Sequence, residues 1–443
     1  MNSVDATLAF GELQMLFNRD KYVNALIRKK WNGRIKVITG MRRCGKSTVL
    51  FELFRNHLLA TGVKPDNIVS IALDIDVNRE FLDPYKLSEY VRAVCKDPNE
   101  QYYLLLDEIQ FAISQAELKN HNEPIKLYSV LNGFLALKNV DVYVTGSNSK
   151  LLSKDVLTEF RGRGDTLHIF PLSFKEYVQC SGLDKYTAYD EYMMYGGMPY
   201  ILHLSSDEAK YAYLNELEEI YFKDIEERYD IRLPNVLREL TSSLCSSIGS
   251  LTNASKIART VNSKKGLNTN SETISAYLGY LTDSFLFSKA ERYDIKGKCY
   301  FDYPAKYYCS DIGLRNIRLG LRQQEETHIM ENIIYNELRE RGFAVDVGKI
   351  EFTEVGTNGK SAAKDLEVDF IARKGMKKYY IQSALRMDDD EKVLTELRPL
   401  KAIDDYFKKI VISKSYGKSW FDDCGILRLG LLDFLLDEDS LDM

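Results

Sequence analysis

The octapeptide Gly40-Met41-Arg42-Arg43-Cys44-Gly45-Lys46-Ser47 narrows the folds open to this chain more than any other stretch. It follows the β-rich apolar run IKVITG (35–40) and precedes Ser47–Leu59, where apolar residues recur at helical spacing. A strand, a glycine-bearing loop of this length and a helix that opens on Lys-Ser make a phosphate cradle. The glycines let the backbone curl until successive N–H groups point at phosphate oxygens, and the helix N-terminus adds its positive end. The pattern predicts that Gly40, Arg42, Arg43, Cys44 and Gly45 wrap the phosphates of ATP. Lys46 then reaches the β- and γ-phosphates, Ser47 ligates Mg2+ and Thr48 lies near the α-phosphate.

Around this loop, apolar runs alternate with amphipathic helical stretches. IVSIALDID (68–76), YYLLLDE (102–108), DVYVTGS (141–147) and TLHIFPL (166–172) read as further strands. Such alternation predicts an α/β unit with a parallel sheet covered on both faces, over about residues 1–180. Asp107 and Glu108 end one of its strands. A carboxylate at that tip holds Mg2+ through water, and the adjacent one polarises the attacking water as a general base. The tip Thr145-Gly146-Ser147-Asn148 is placed to sense the γ-phosphate through Asn148 or Ser147. Arg161 and Arg163, in FRGRGD, read either as arginine fingers toward a neighbouring subunit or as ordinary surface charges.

The pattern changes after this unit. Residues 181–320 begin with the charged amphipathic helix 215–229 and continue with shorter helical pieces, then FLFSKAERYDIKGKCYF, which reads as a hairpin turning at Asp294-Ile295-Lys296-Gly297. Short helices followed by a hairpin suggest a winged-helix module, with Lys256, Arg259, Lys264 and Lys265 as candidate DNA-phosphate contacts. Residues 321–443 read as a compact α/β domain. Here Glu331 on a helix, with Asp369 and Gln382 on two strands, resembles the skeleton of a divalent-metal site. A metal nuclease of that kind needs an acid and, two residues later, a lysine, where this chain has Gln382 and Ala384. Glu367, at i−2 from Asp369, is a substitute ligand.

Composition closes off several classes. No apolar run approaches the roughly 18 residues of a membrane span, and no basic-then-apolar leader opens the chain. Seven cysteines without paired spacing argue against a disulfide framework, and the absence of CxxC and HExxH argues against zinc. The expected compartment is the cytoplasm. A net charge of −5 gives no general pull toward nucleic acid.

Taken together, VITGMRRCGKST (37–48), LLLDEIQ (104–110), VTGSNS (144–149), GRGDTLHIFPLSFKEY (162–177), YGGMP (195–199) and YFKDI (221–225) carry a resemblance. KYYCSDIGLRN (306–316), MEN (330–332), EVDFI (367–371) and YIQSA (380–384) extend it over nearly the whole chain. The chain resembles a prokaryotic family of AAA+-like ATPases whose C-terminal domain is related to PD-(D/E)XK nucleases. The resemblance implies ATP and Mg2+ as ligands, with Lys46, Asp107, Glu108, Asn148 and Arg163 as the hydrolytic set. It also implies a vestigial nuclease core at Glu331, Glu367, Asp369 and Gln382, since relatives of this type carry the same glutamine. The readings left open are a hydrolytic switch or motor acting on DNA or a protein, a DNA-binding scaffold that uses ATP structurally, and an ATP-dependent metal nuclease. A homo-oligomer is among the open partner classes.

Overall fold

Each residue of 35–40, 102–107 and 140–145 is buried, as strands covered on both faces require. The computed structural model describes residues 17–114, 116–117, 124–147, 162–355, 361–387, 390–414 and 418–443. After helix α1 (Asp20–Lys29) come strand β1 (Ile35–Gly40) and helix α2 (Arg55–Ala60), the latter preceded by a wider helical turn, Thr48–Phe54. Strand β2 (Ile68–Ala72), helix α3 (Pro84–Val94), strand β3 (Tyr102–Asp107), helix α4 (Lys126–Phe134), strand β4 (Val140–Thr145) and strand β5 (Gly164–Ile169) follow. The five strands form a parallel sheet in the order β2-β3-β4-β1-β5. Because β1 and β3 are separated only by β4, the end of β1 and the tip of β3 open at the same edge of the sheet.

Helices α5 (Phe174–Ser181) and α6 (Lys185–Tyr195) lead to the long α7 (Asp207–Tyr229). Then come α8 (Pro234–Ser246), α9 (Ala254–Lys265) and α10 (Ser271–Asp283). Their boundaries are written locally. Ser173, Asp184, Ser206, Asn253 and Asn270 each accept backbone N–H bonds at the start of the helix that follows. Strands β6 (Phe287–Asp294) and β7 (Cys299–Cys309) form the expected hairpin, and helix α11 (Ile312–Arg318) returns the chain to the end of α6.

That return is an interlock of two glycine-bearing segments. Gly196 has φ +74°, and Asp311 accepts a hydrogen bond from the Gly197 N–H at 2.8 Å while capping α11 through Leu314 at 3.1 Å. Asn316 donates to the carbonyls of Met193 and Met194, both at 2.9 Å. Gly313 lies so close to Tyr195 that a Cβ there would sit 2.1 Å from the carbonyl oxygen. The motifs YGGMP and SDIGLRN are thus the two halves of one contact.

The C-terminal part comprises helix α12 (Glu326–Glu340), strands β8 (Ala344–Val355), β9 (Ser361–Lys374) and β10 (Lys377–Ala384), and helix α13 (Asp390–Lys401). Strands β11 (Lys408–Ser413), β12 (Trp420–Phe421) and β13 (Leu427–Gly430) and helix α14 (Leu431–Leu436) complete it. The sheet is mixed, in the order β12-β13-β11-β10-β9-β8-β6-β7. Tyr379 and Ile381 pack in the core that holds α12, whereas Tyr380 and Ala384 pack in the core that holds Leu397 and Leu400 of α13. The two helices therefore cover opposite faces. The hairpin precedes residue 320 and yet pairs beyond it. Arg292–Asp294 of the hairpin pair in parallel with Val347–Lys349 of β8, so residues 287–309 extend the C-terminal sheet. A free wing would have left its edge N–H and C=O groups to water, and pairing with β8 satisfies them.

Candidate nucleotide site

The loop between β1 and α2 is held from behind. Gly40 has φ +147° and no room for a side chain, since a Cβ would stand 2.2 Å from the Ile169 carbonyl of β5. Gly45 (φ +97°) and Arg43 (φ +61°) complete the curl. Cys44 is buried, its sulfur 3.4 Å from that same Ile169 carbonyl, and burial raises the thiol's pKa. Arg19, also buried, donates to the carbonyls of Cys44 and Phe170, both at 2.9 Å, and pairs with Glu176 at 3.1 Å. Lys46, 3% exposed, donates to the Met41 carbonyl at 2.8 Å and lies 3.8 Å from Glu108. Its ammonium thus lies across the concave side of the loop. Ser47 and Thr48 open the helical turn that follows.

Asp107 closes β3 beneath this loop. Its carboxylate accepts hydrogen bonds from the hydroxyls of Thr145 and Ser47. Burial, then the Glu108 charge, push its pKa up to about 6 against the pull of those hydroxyls and of Lys46. Protonation therefore competes with cation binding below about pH 6. Glu108 has left-handed backbone angles (φ 52°, ψ 51°), and its N–H donates to the Thr145 hydroxyl at 3.0 Å. This turn swings its carboxylate toward Gln110, which donates to it, and toward the Ser147 hydroxyl at 3.4 Å. Gln110 and Ser147 are in turn 3.3 Å apart. Gln110 and Thr145 lie inside the motifs LLLDEIQ and VTGSNS but were given no role there, and Arg19 belongs to no motif.

Not every expected residue joins this group. Asn148 and Arg161 lie outside the described residues. Arg163 is exposed at the far end of the sheet, where its carbonyl accepts from the Ile35 N–H. Six strand steps, about 20 Å, separate it from Ile169, which faces Gly40. The side chains of Arg42 and Arg43 point along α7: Arg42 pairs with Asp224, Arg43 lies 3.3 Å from Glu216, and Tyr221 donates to the Arg42 carbonyl at 2.8 Å.

In the C-terminal part, the structure brings Glu331, Glu367 and Asp369 together around Lys306 of β7, an unanticipated member. Gln382 stands beside that cluster, its amide bonded to Glu396 at 3.2 Å and to the Asp369 N–H at 3.4 Å. Among the described residues, no group of three or more His, Cys, Asp or Glu is arranged to hold a metal ion. Lys256 and Arg259 are exposed on α9, and nothing is described of the Lys264 and Lys265 side chains. Among the described residues, no helix is long and apolar enough to cross a membrane.

Residues 32–178 match the family model of an AAA domain, and residues 186–325 match a domain of unknown function. An uncharacterized protein of Haemophilus influenzae is 32% identical over 95% of this chain and 99% of its own length. One of Methanocaldococcus jannaschii is 28% identical over 85% of this chain and 79% of its own. Among solved structures, the Aeropyrum pernix ORC2 protein in its ADP form matches with a TM-score of 0.34 and 11% identity, over 71% of this chain and 92% of that one. AMPPCP-bound DnaA from Aquifex aeolicus matches with a TM-score of 0.32 and 15% identity, over 60% of this chain and 88% of that one. Scores this low say nothing of a shared substrate or partner. The AAA domain at residues 32–178 and the near full-length identity place the chain plainly: it belongs to the family of the Haemophilus influenzae protein, an AAA-domain P-loop family.

Proposed function

We propose that this chain hydrolyses ATP with Mg2+ and works as a nucleotide-driven switch. The observation that carries the reading is the meeting of Lys46, Ser47, Asp107, Glu108 and Ser147 at one edge of the parallel sheet. The paired Ser47 hydroxyl and Asp107 carboxylate are hard oxygen donors of the kind Mg2+ takes, and they are the residues that would hold it. When bound, the ion neutralises charge on the β- and γ-phosphate oxygens. Lys46 exchanges the Met41 carbonyl for those oxygens. Glu108 takes a proton from the attacking water as its oxygen bonds to the γ-phosphorus and the β–γ bridging P–O bond breaks, releasing ADP and phosphate. Ser147, whose hydroxyl lies beside Glu108, takes the γ-phosphate-sensing role. Arg163 is too far to serve its own chain and fits the site of a neighbouring copy.

Steady-state ATP hydrolysis by wild type and Lys46→Ala, each with and without duplex DNA, tests this. Loss of turnover in the variant is expected, and stimulation of the wild type by DNA identifies the partner class. Unchanged turnover in Lys46→Ala sinks the assignment.

The link from nucleotide to the rest of the chain runs along α7. Its P-loop partners are solvent-accessible ion pairs, worth under about 1 kcal/mol each, so arriving phosphates exchange them readily. The opposite side of α7 is tied down by Arg238 to Glu219 at 2.8 Å and by Arg318 to Glu218 at 3.4 Å. Asp224→Asn frees Arg42 for phosphate. A fluorescent-nucleotide titration should show tighter binding, by roughly 3–10-fold for about 1 kcal/mol. Affinity equal to wild type would mean that α7 does not compete with the nucleotide.

Three functional regions follow from this reading: an ATPase unit to about residue 180, a helical connector carrying α7, and a C-terminal unit that includes the hairpin 287–309. The order α12-β8-β9-β10-α13-β11 supports the kinship of that last unit with PD-(D/E)XK nucleases. DNA remains a proposed partner on the strength of exposed Lys256 and Arg259. The cytoplasm is the proposed compartment, in keeping with seven cysteines free of disulfides.

A further inference from the structure

A nuclease-like C-terminal unit implies a divalent metal among Glu331, Glu367 and Asp369, but the structure seats an ammonium there. Lys306 is 3% exposed and lies 2.7 Å from Glu367, 3.0 Å from Glu331 and 3.9 Å from Asp369. The Tyr308 hydroxyl donates to Glu331 at 2.7 Å, and the Ser383 N–H donates to the remaining Asp369 oxygen at 2.8 Å. The ammonium thus faces one oxygen of each of the three carboxylates, the place a shared metal would take. Two further facts weigh against Lys306 as a lysine waiting for substrate. Its side chain is buried away from solvent, and its ammonium is already committed to the carboxylates. Burial alone would lower its pKa, but Glu331, Asp369 and Glu367 outweigh burial and raise it, so the charge is fixed.

We infer that Lys306 is the resident cation of this carboxylate cluster, a covalently tethered replacement for a divalent metal that ties the hairpin strand β7 to α12 and β9. The carboxylate oxygens around it are hard donors of the kind Mg2+ and Mn2+ take, and a metal enters only when the ammonium is removed. The Ser383 hydroxyl, buried beside Asp369 and without a partner among the described residues, is one more oxygen at the edge of the set. The inference stands apart from the ATPase reading, because it concerns a cluster on the other sheet.

The test uses the full chain without nucleotide and Mn2+ as the probe, read by electron paramagnetic resonance and by thermal unfolding. Wild type should bind no Mn2+ that depends on Asp369, and its Tm should not move with Mn2+. Lys306→Ala should unfold at lower temperature, bind one Mn2+ and regain stability with it. Lys306→Ala/Asp369→Asn should lose both effects. Mn2+ bound by wild type and lost in Asp369→Asn would overturn the inference, and that comparison holds whether or not the Lys306 variants fold. A folded Lys306→Ala that ignores Mn2+ would overturn it as well.

Discussion

Replacing Glu108 by glutamine is expected to lower ATP turnover by about 10²–10⁴-fold while leaving nucleotide affinity near that of wild type. The amide has the shape of the carboxylate and can still meet Gln110 and Ser147, but it cannot take a proton from water. Binding is carried by the loop and by Lys46, which the substitution leaves in place. Single-turnover phosphate release beside a nucleotide titration separates the two quantities. Undiminished release would remove Glu108 from the chemistry, and a parallel loss of affinity would mean that the residue shapes the loop instead. Glu108→Gly sharpens the test. Left-handed angles cost a residue with a Cβ about 1–2 kcal/mol, which glycine does not incur. That variant should be as silent as the glutamine one, yet unfold no lower than wild type. Activity then falls while stability does not.

The second large effect concerns folding. Gly313→Ala places a methyl group 2.1 Å from the Tyr195 carbonyl oxygen, a contact with backbone that no rotamer change relieves. Separating α11 from the Tyr195-Gly196 turn strains the Asp311 and Asn316 hydrogen bonds that close the same joint. The cost is about 3 kcal/mol, or a Tm lower by roughly 6–12 °C in a cooperative unit of some 200 residues. Gly279 is the built-in control. It too is helical, but nothing stands within 4 Å of its missing Cβ. Gly279→Ala should therefore stabilise α10 by up to about 1 kcal/mol through helix propensity alone. Differential scanning calorimetry of both variants decides the matter. A harmless Gly313→Ala would show that the interlock yields easily.

Sequence reasoning reached what short-range chemistry encodes. Three of the parallel strands were visible because strands buried throughout are written as largely apolar runs, β2 and β5 because their residues are β-rich, and the loop because glycine spacing and Lys46 are local. The hairpin was visible from its turn, but its destination was not: the pairing of Arg292 with Val347 joins residues far apart along the chain. The same distance hid Lys306, whose partners Glu331 and Asp369 lie 25 and 63 residues on. The position two places after Gln382 holds Ala384, and nothing in that local pattern points to a lysine on another strand. Gln382 was legible as a departure from a nuclease strand, whereas its turn toward Glu396 depends on which face of β10 meets α13. Arg42 and Arg43 read as part of the cradle, yet their side chains answer to Glu216 and Asp224, which only the path of α7 brings near.

Because β6 and β7 complete the second sheet, the unit cannot be excised at the point where its first helix begins. A fragment starting at residue 321 would bare the edge of β8 and leave the carboxylates of Glu331, Glu367 and Asp369 with no counter-charge. An unpaired edge recruits strands from other molecules, so such a fragment would come out of expression as aggregate. Gene fusions or truncations that respect this protein's modularity have to break the chain ahead of Phe287, carrying the hairpin along.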